Sequence, residues 1–400
     1  MKWLLTLLLL QLSGCSPKPY FRTEIHNQPC ITLPDKDCAA ANLVVDLQED
    51  YALSFVEFDD DGHYYDKRQA ESLLQWLSHQ SQPQYVAIYT HGWHHNANDT
   101  DNNVRRFKES LRDIKQRNPS YQVLGIYLGW RGETLDIPWL RALTFWDRKA
   151  VSETLGRNDF MNLLLRIETL VKSDMAQRNR LLTIGHSLGA TVLLNALQPV
   201  WMQRLSEFKA SKAGFGDLVV LVNPAFEARR FVQLRSALME VDVSQLPQMN
   251  APLLLIAASE ADTITKNAFT LSQAVPALFK SSDSTYDASL YGLSEWALAA
   301  TAVGHVNELV THRLEATSFT VADSACGTGT LDKSLKLAGP SLTNVGDAIW
   351  PITESMLLRH LHDKPAYDPV WVVQTDKFIL PNHGFMNRKP FWCFIERAMG

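Results

Sequence analysis

The feature that most constrains the fold is a Gly-His-Ser-Leu-Gly motif at residues 185–189. A short apolar run suited to a buried strand, residues 181–184, leads into it, and an apolar stretch of helical period follows over residues 190–200. This is the pattern of the G-x-S-x-G nucleophile elbow, whose serine occupies a strained turn between strand and helix. The flanking glycines remove Cβ atoms that would clash there. We therefore predict a nucleophilic hydroxyl at Ser187; the alternative is an ordinary loop rich in Gly and Ser.

The same turn predicts donors for an oxyanion. The N–H of Leu188 lies at the start of the following helix, where backbone amides favour negative charge. A second donor is expected from the Trp93 N–H, because His91-Gly92-Trp93 follows an early predicted strand and glycine lets the backbone approach an acyl oxygen. His91 would orient this loop. The alternative is a metal site formed by polar side chains of the loop: His91, His94, His95 and Asp99.

Alternating apolar strands and amphipathic helices predict an α/β fold, a doubly wound and mostly parallel sheet flanked by helices. Reacting groups gather at the carboxyl ends of the strands in such a sheet. In the chain order serine, acid, histidine, the acid is expected after the second strand beyond the motif, at Asp262. The competing carboxylates are Asp217, Glu227 and Glu260.

The general base is expected on the loop after the last strand, predicted over residues 370–374, because only that loop returns over the serine. His383 lies on this loop. His305 is the rival, although choosing it leaves the last strand without a role. Three other histidines are expected at the surface or at helix ends: His312, His360 and His362.

Residues 265–364 are expected to form a large insertion without a clear strand pattern. It would contain helices over residues 267–279 and 290–314 and a Gly/Ser/Thr-rich loop over residues 322–343, and it would act as a lid or as a passive outer layer. Earlier in the chain, the aromatic residues Trp139, Phe145 and Trp146 follow a predicted strand, and they would either line an acyl pocket or pack the loop down.

The N-terminus has the pattern of an export signal, with Lys2, an apolar run over residues 3–10 and Leu-Ser-Gly-Cys at residues 12–15. The run is too short to span a bilayer. Leu-Ser-Gly-Cys resembles a bacterial lipobox, which implies removal of residues 1–14 and lipidation of Cys15. The mature protein would then be anchored in the cell envelope, and Ser16 favours the outer membrane facing the periplasm. The alternative is an ordinary secretory signal.

Residues 15–41 are expected to be a tether and edge segment, and residues 42–400 the main domain. Export would place the remaining cysteines in an oxidising compartment, where three disulfide pairings are open and we favour Cys30 with Cys38.

The net charge of −5 is spread over 400 residues, and basic residues form only short pairs. Without a continuous basic track, nucleic acid is excluded as a partner.

Four segments together resemble the α/β-hydrolase superfamily, and in particular its bacterial serine esterase branches: His91-Gly92-Trp93, Trp130-Arg131-Gly132, residues 185–189 and Asn223-Pro224-Ala225-Phe226. The resemblance implies cleavage of a small-molecule or lipid ester through an acyl-enzyme on Ser187. It implies His383 as the base, Asp262 as its orienting acid, and no metal or organic cofactor. A non-catalytic envelope scaffold with the same fold is the alternative.

Overall fold

The computed structural model of the chain describes residues 20–26, 28–33, 37–132, 141–173, 178–206, 214–240, 252–268, 295–318, 349–361 and 370–400. The signal segment 1–14 and Cys15 lie outside these residues. The same is true of Trp139, His362, the loop expected over residues 322–343 and most of the helix expected over residues 267–279.

Strands within the described residues form one sheet. They are β1 (Cys30–Ile31), β2 (Leu43–Asp46), β3 (Tyr51–Glu57), β4 (Gln84–Thr90), β5 (Gln122–Gly129), β6 (Arg180–His186), β7 (Leu218–Val222), β8 (Leu254–Ser259), β9 (His312–Ala316), β10 (Ile349–Thr353), β11 (Met356–His360) and β12 (Val370–Thr375).

Helices cover the sheet. They are α1 (Lys67–Ser78), α2 (Asn102–Arg117), α3 (Arg141–Leu155), α4 (Asn158–Lys172), α5 (Leu188–Ser206), α6 (Ala228–Glu240), α7 (Glu295–Ala300) and α8 (Lys389–Met399). Shorter turns complete the described chain: a π-helical turn at Ile264–Ala268 and 3-10 turns at Val303–His305 and Asn307–Leu309.

The strand order is β1-β2-β3-β5-β4-β6-β7-β8-β12-β9-β11-β10. From β3 to β9 along this order, every neighbouring pair is parallel. The antiparallel pairs are β2 with β3, β9 with β11, and β11 with β10. The predicted α/β class with a mostly parallel sheet is therefore confirmed.

The central strands are buried on both faces. All seven residues of β4 and all five of β7 are buried, as expected for a parallel sheet covered by helices on each side. Helices α1, α4, α5 and α6 pack their apolar side chains on one face. Helices α2 and α8 pack on the other. The helix distribution explains why the strands consist of nearly continuous apolar runs.

The parallel strands all end on the same side of the molecule, which we call the carboxyl end of the sheet. It is marked by the last residues of six strands: Glu57 of β3, Thr90 of β4, Gly129 of β5, His186 of β6, Ser259 of β8 and Thr375 of β12. Loops that leave these strands can bring distant parts of the chain together.

The segment 265–364, expected to have no clear strand pattern, contains strands in its described part. Strands β9, β10 and β11 lie there and extend the sheet beyond β12. Within the described part of the helix expected over residues 290–314, α7 is the only α-helical stretch. Gly304 lies in the 3-10 turn that follows and packs so tightly on β8 that a Cβ would lie 2.0 Å from the Cβ of Ala258.

The N-terminal segment is held against the first strands. A disulfide joins Cys30 to Cys38, as favoured from the sequence. Strand β1 pairs with β2 in parallel and lies at the edge of the sheet. Within the described residues, no helix combines the length and apolar character needed to cross a bilayer.

Candidate active site

The motif at residues 185–189 forms a tight turn between β6 and α5. Ser187 has φ +55, the left-handed region that a side chain rarely adopts. A Cβ on Gly189 would lie 2.3 Å from the backbone oxygen of Thr90, and one on Gly185 would lie 2.8 Å from the Cα of Ala190. Both flanking positions therefore require glycine, for the close backbone contacts predicted by the elbow hypothesis.

The loop after β4 approaches the same serine. A Cβ on Gly92 would lie 2.8 Å from Ser187 Cβ and 3.4 Å from Ser187 Oγ. The amide of Trp93 belongs to this loop, and Leu188 is the first residue of α5, where an N–H has no acceptor within the helix. The structure therefore brings the serine and the two loops that carry the expected oxyanion donors into contact.

Asp262 and His383 are in direct contact at the carboxyl end of the sheet. Asp262 follows β8, and His383 lies on the loop after β12. The Nδ1 atom of His383 is 2.7 Å from Oδ2 of Asp262. The carboxylate is fully buried, whereas the imidazole is 18% exposed. This arrangement leaves the other ring nitrogen of His383 for a second partner.

Asp262 accepts hydrogen bonds on both carboxylate oxygens. Oδ1 accepts from the backbone N–H of Ile264 at 2.9 Å and of Thr265 at 3.2 Å. Oδ2 accepts from the Thr265 hydroxyl as well as from His383. Burial raises the pKa of the Asp262 carboxyl, but the hydrogen bonds and the charge of His383 outweigh burial and lower it to about 2. Asp262 is therefore a carboxylate at neutral pH.

His305, the rival base, lies behind this carboxylate. Its Nε2 is 2.8 Å from the Thr265 hydroxyl oxygen, which donates its own proton to Asp262. His305 Nε2 must then carry a proton and donate to Thr265. Burial lowers the pKa of His305 to about 4, so the ring is neutral. His305 is therefore joined to the Asp262 carboxylate through Thr265, whereas His383 contacts it directly.

The loop that carries His383 is held next to Ser187. His186 Nε2 donates to the backbone oxygen of His383 at 2.8 Å, and the two rings lie 4.7 Å apart. The side-chain amide of Asn223 donates to the same oxygen at 2.7 Å. Among the contacts of the described residues, the Ser187 hydroxyl makes no hydrogen bond to His383. Such bonds are often long in unliganded enzymes and shorten when substrate binds.

His91 supports the loop after β4. The ring is buried, Nδ1 donates to the backbone oxygen of Gly92 at 2.9 Å, and Nε2 accepts from the N–H of Trp130 at 3.1 Å. Both nitrogens are therefore used within the protein. Burial lowers the pKa of His91 to about 4, which keeps it neutral.

The alternative metal site is contradicted by these contacts. Both nitrogens of His91 are engaged, and two of the three remaining candidates have other partners: His95 contacts Asp101, and Asp99 pairs with Lys108 and Arg22. In the part of the chain that the structure describes, no group of His, Cys, Asp or Glu side chains could hold a metal ion.

The competing carboxylates have other partners. Asp217 pairs with Lys172 at the opposite end of β7. Glu227 is buried and pairs with Lys149 at 3.0 Å. Glu260 is exposed and accepts from the backbone N–H of Lys377. Of the four carboxylates considered from the sequence, only Asp262 is hydrogen-bonded to a candidate histidine among the described residues.

The aromatic residues after β5 pack against the oxyanion loop. The ring of Phe145 lies edge-on to Trp93 at 5.2 Å, and Trp146 contacts Phe145 at 5.9 Å. Trp146 is also 39% exposed.

The expectation that His312 and His360 lie at the surface or at helix ends is wrong: both are buried in the sheet, with their rings 4.9 Å apart.

Three contributors to the site were not found from the sequence. Thr265 holds Asp262, and His186 and Asn223 hold the backbone of His383. Asn223 carried the strongest signal, because it ends a strand, and its φ of +45 is one that asparagine tolerates better than most residues. Thr265 and His186 carried no signal of a role. Thr265 acts on His383 only through Asp262, and the partner of His186 is 197 residues away in the chain.

Comparison with known proteins identifies no family for the chain, since no family model, no curated protein and no solved structure matches it significantly.

Proposed function

We propose that the chain is a serine hydrolase of the α/β-hydrolase type that cleaves carboxylic esters through an acyl-enzyme on Ser187. The contact that carries the proposal is the 2.7 Å hydrogen bond between His383 Nδ1 and Asp262, next to a serine held at φ +55. Orientation of a histidine by a buried carboxylate, beside a strained serine, is the arrangement required for activating a hydroxyl.

The first half of the reaction acylates the serine. Nε2 of His383 takes the Ser187 proton as the hydroxyl oxygen attacks the ester carbonyl carbon. Asp262 holds the ring with Nε2 free of a proton and stabilises the imidazolium that forms. The N–H groups of Leu188 and Trp93 stabilise the negative oxygen of the tetrahedral intermediate. His383 then gives its proton to the departing alcohol.

The second half releases the acid. Water attacks the acyl carbon, and His383 takes the water proton and returns a proton to Ser187 as the acyl–oxygen bond breaks. Each step is completed by side chains and backbone amides of the site, so the proposal calls for no cofactor. The anchored location in the cell envelope is part of the same proposal and rests on the Leu-Ser-Gly-Cys sequence ending at Cys15.

The test compares Ser187→Ala with Ser54→Ala on p-nitrophenyl butyrate. Ser54 is a suitable control, because it is buried on β3 and its hydroxyl has no hydrogen-bond partner in the described part of the chain. Turnover by Ser187→Ala should fall by about 10⁴- to 10⁶-fold. Ser54→Ala should keep the wild-type rate. Unchanged ester hydrolysis by a folded Ser187→Ala variant would contradict the proposal.

The second candidate is a non-catalytic envelope scaffold, which is favoured by the missing hydrogen bond between Ser187 and His383. An active-site fluorophosphonate separates the two functions, because labelling needs an activated serine. We expect labelling of the wild type and of Ser54→Ala, and none of Ser187→Ala. Failure to label the wild-type protein would favour the scaffold.

A further inference from the structure

The described chain begins at the carboxyl end of the sheet, the end that carries the proposed active site. The ring of Tyr20 stacks on Tyr65 at 3.4 Å, and Tyr65 lies in the turn that follows β3. The N–H groups of Phe21 and Arg22 donate to the carboxylate of Glu57, the last residue of β3, at 3.1 and 2.8 Å. This attachment fixes the end of the sheet from which the N-terminal segment leaves.

Arg22 ties the segment to the loop after β4. Its side chain is buried, Nε donates to the backbone oxygen of Ala97 at 2.8 Å, and the guanidinium lies 3.5 Å from the centre of the Phe55 ring. A second guanidinium nitrogen pairs with Asp99 at 3.3 Å. Such a buried and bonded arginine holds the chain firmly at this point. The same loop carries Gly92, which packs against Ser187.

Very little chain separates this fixed point from Cys15. Tyr20 is five residues beyond Cys15, and a fully extended chain covers at most about 3.6 Å per residue. The span is therefore at most about 18 Å. A lipid on Cys15 would hold the carboxyl end of the sheet close to the bilayer surface.

Large apolar side chains are exposed at this same end. Four of them follow the ends of different strands: Tyr65 after β3 is 49% exposed, Trp146 after β5 is 39% exposed, Ile264 after β8 is 44% exposed and Phe378 after β12 is 40% exposed. Aromatic and aliphatic side chains around one end of a molecule suit the boundary between lipid headgroups and acyl chains.

We infer that the carboxyl end of the sheet docks on the bilayer that holds the lipid anchor, and that the ester cleaved at Ser187 is a membrane lipid. The inference rests on the proposed function and on lipidation of Cys15. The short tether and the exposed apolar side chains both orient Ser187 toward the membrane. A substrate dissolved in that membrane would reach the site without crossing water.

The first test uses the full mature protein, lipidated at Cys15, in vesicles of phosphatidylethanolamine and phosphatidylglycerol. Phe378→Asp is compared with Leu47→Asp, because Leu47 is also exposed, at 63%, but follows β2 at the opposite end of the sheet, where Asp46 pairs with Tyr51, the first residue of β3. Hydrolysis of a fluorogenic phospholipid in the vesicles should fall about 10- to 100-fold for Phe378→Asp, since an apolar contact with lipid is lost. Leu47→Asp should retain the wild-type rate.

Soluble p-nitrophenyl butyrate is the second substrate in this test. Both variants should hydrolyse it at the wild-type rate, since neither side chain belongs to the proposed chemistry. Equal rates of the two variants on the vesicle phospholipid would overturn the docking inference. If the wild type hydrolyses neither ester, the proposed function fails instead.

Docking also has a readout that does not depend on activity. Brominated phospholipids quench tryptophans that enter the bilayer interface, so quenching should decrease in Trp146→Phe. Trp76→Phe is the control, because Trp76 lies in the last turn of α1, half-buried. Identical quenching of Trp146→Phe and the wild type would show that this end of the sheet faces away from the membrane.

Discussion

Replacing Asp262 by asparagine tests the proposed chemistry with almost no change in shape. Oδ1 of Asp262 accepts two backbone N–H groups, from Ile264 and Thr265. An asparagine must keep its oxygen at this position, because turning the amide would leave two N–H donors facing its NH₂. Each unsatisfied donor would cost about 1–3 kcal/mol of stability. The NH₂ group would then occupy the position of Oδ2 and face His383.

The consequence is a change in the protonation of the imidazole. The asparagine NH₂ donates to Nδ1 of His383, so the ring proton moves to Nε2. A protonated Nε2 cannot accept the Ser187 proton. The equivalent replacement in a serine protease triad lowers kcat by about 10⁴-fold. We expect a similar loss in kcat/KM here, which corresponds to about 5.5 kcal/mol of transition-state stabilisation.

The assay is kcat/KM for p-nitrophenyl butyrate, with thermal unfolding measured in parallel. Glu260→Gln is the matched control, because this exposed carboxylate lies two residues earlier and accepts from the backbone N–H of Lys377 instead of contacting His383. It should change kcat/KM by less than about twofold, as surface substitutions generally do. A folded Asp262→Asn variant that keeps more than about a tenth of wild-type kcat/KM would refute the assignment of Asp262.

Two further predictions concern the surroundings of this site. Thr265→Val removes a donor to the Asp262 carboxylate and should lower kcat by about 10- to 100-fold with little change in KM. Thr265→Ser keeps the donor and should keep the wild-type kcat. Equal activity of the two variants would contradict a positioning role for Thr265. Gly189→Ala places a Cβ 2.3 Å from a backbone oxygen at the end of β4, so its melting temperature should fall and fluorophosphonate labelling should be lost. Gly384→Ala, with its nearest atom at 3.5 Å, should leave the melting temperature unchanged, and a similar loss in both variants would contradict the steric argument.

The central sheet and the turn at Ser187 were predictable because their signals are local. Strands such as β4 and β7 are short apolar runs, and burial on both faces of a parallel sheet requires that composition. The turn is identified by two glycines spaced around one serine, and the close backbone contacts at Gly185 and Gly189 show why they are needed. The Cys30–Cys38 disulfide also joins residues close in sequence.

Strands β9, β10 and β11 were missed because their signals are weak. Each has five residues, and β9 and β11 alternate between buried and partly exposed positions with polar residues among them. Short strands of this kind are stabilised by pairing with a neighbour more than by their own composition. Only the presence of β12 beside β9 decides that the segment joins the sheet.

The sequence alone determined which residue types were available for chemistry and, through the order of its strands, that Asp262 and His383 follow strands β8 and β12. Tertiary structure alone decided that these two residues, 121 positions apart, lie 2.7 Å from each other, and that Thr265 joins His305 to the same carboxylate. Periodicity and turn chemistry act over a few residues. Contact between distant residues depends on strand order and on the burial of the whole sheet, which no single segment encodes.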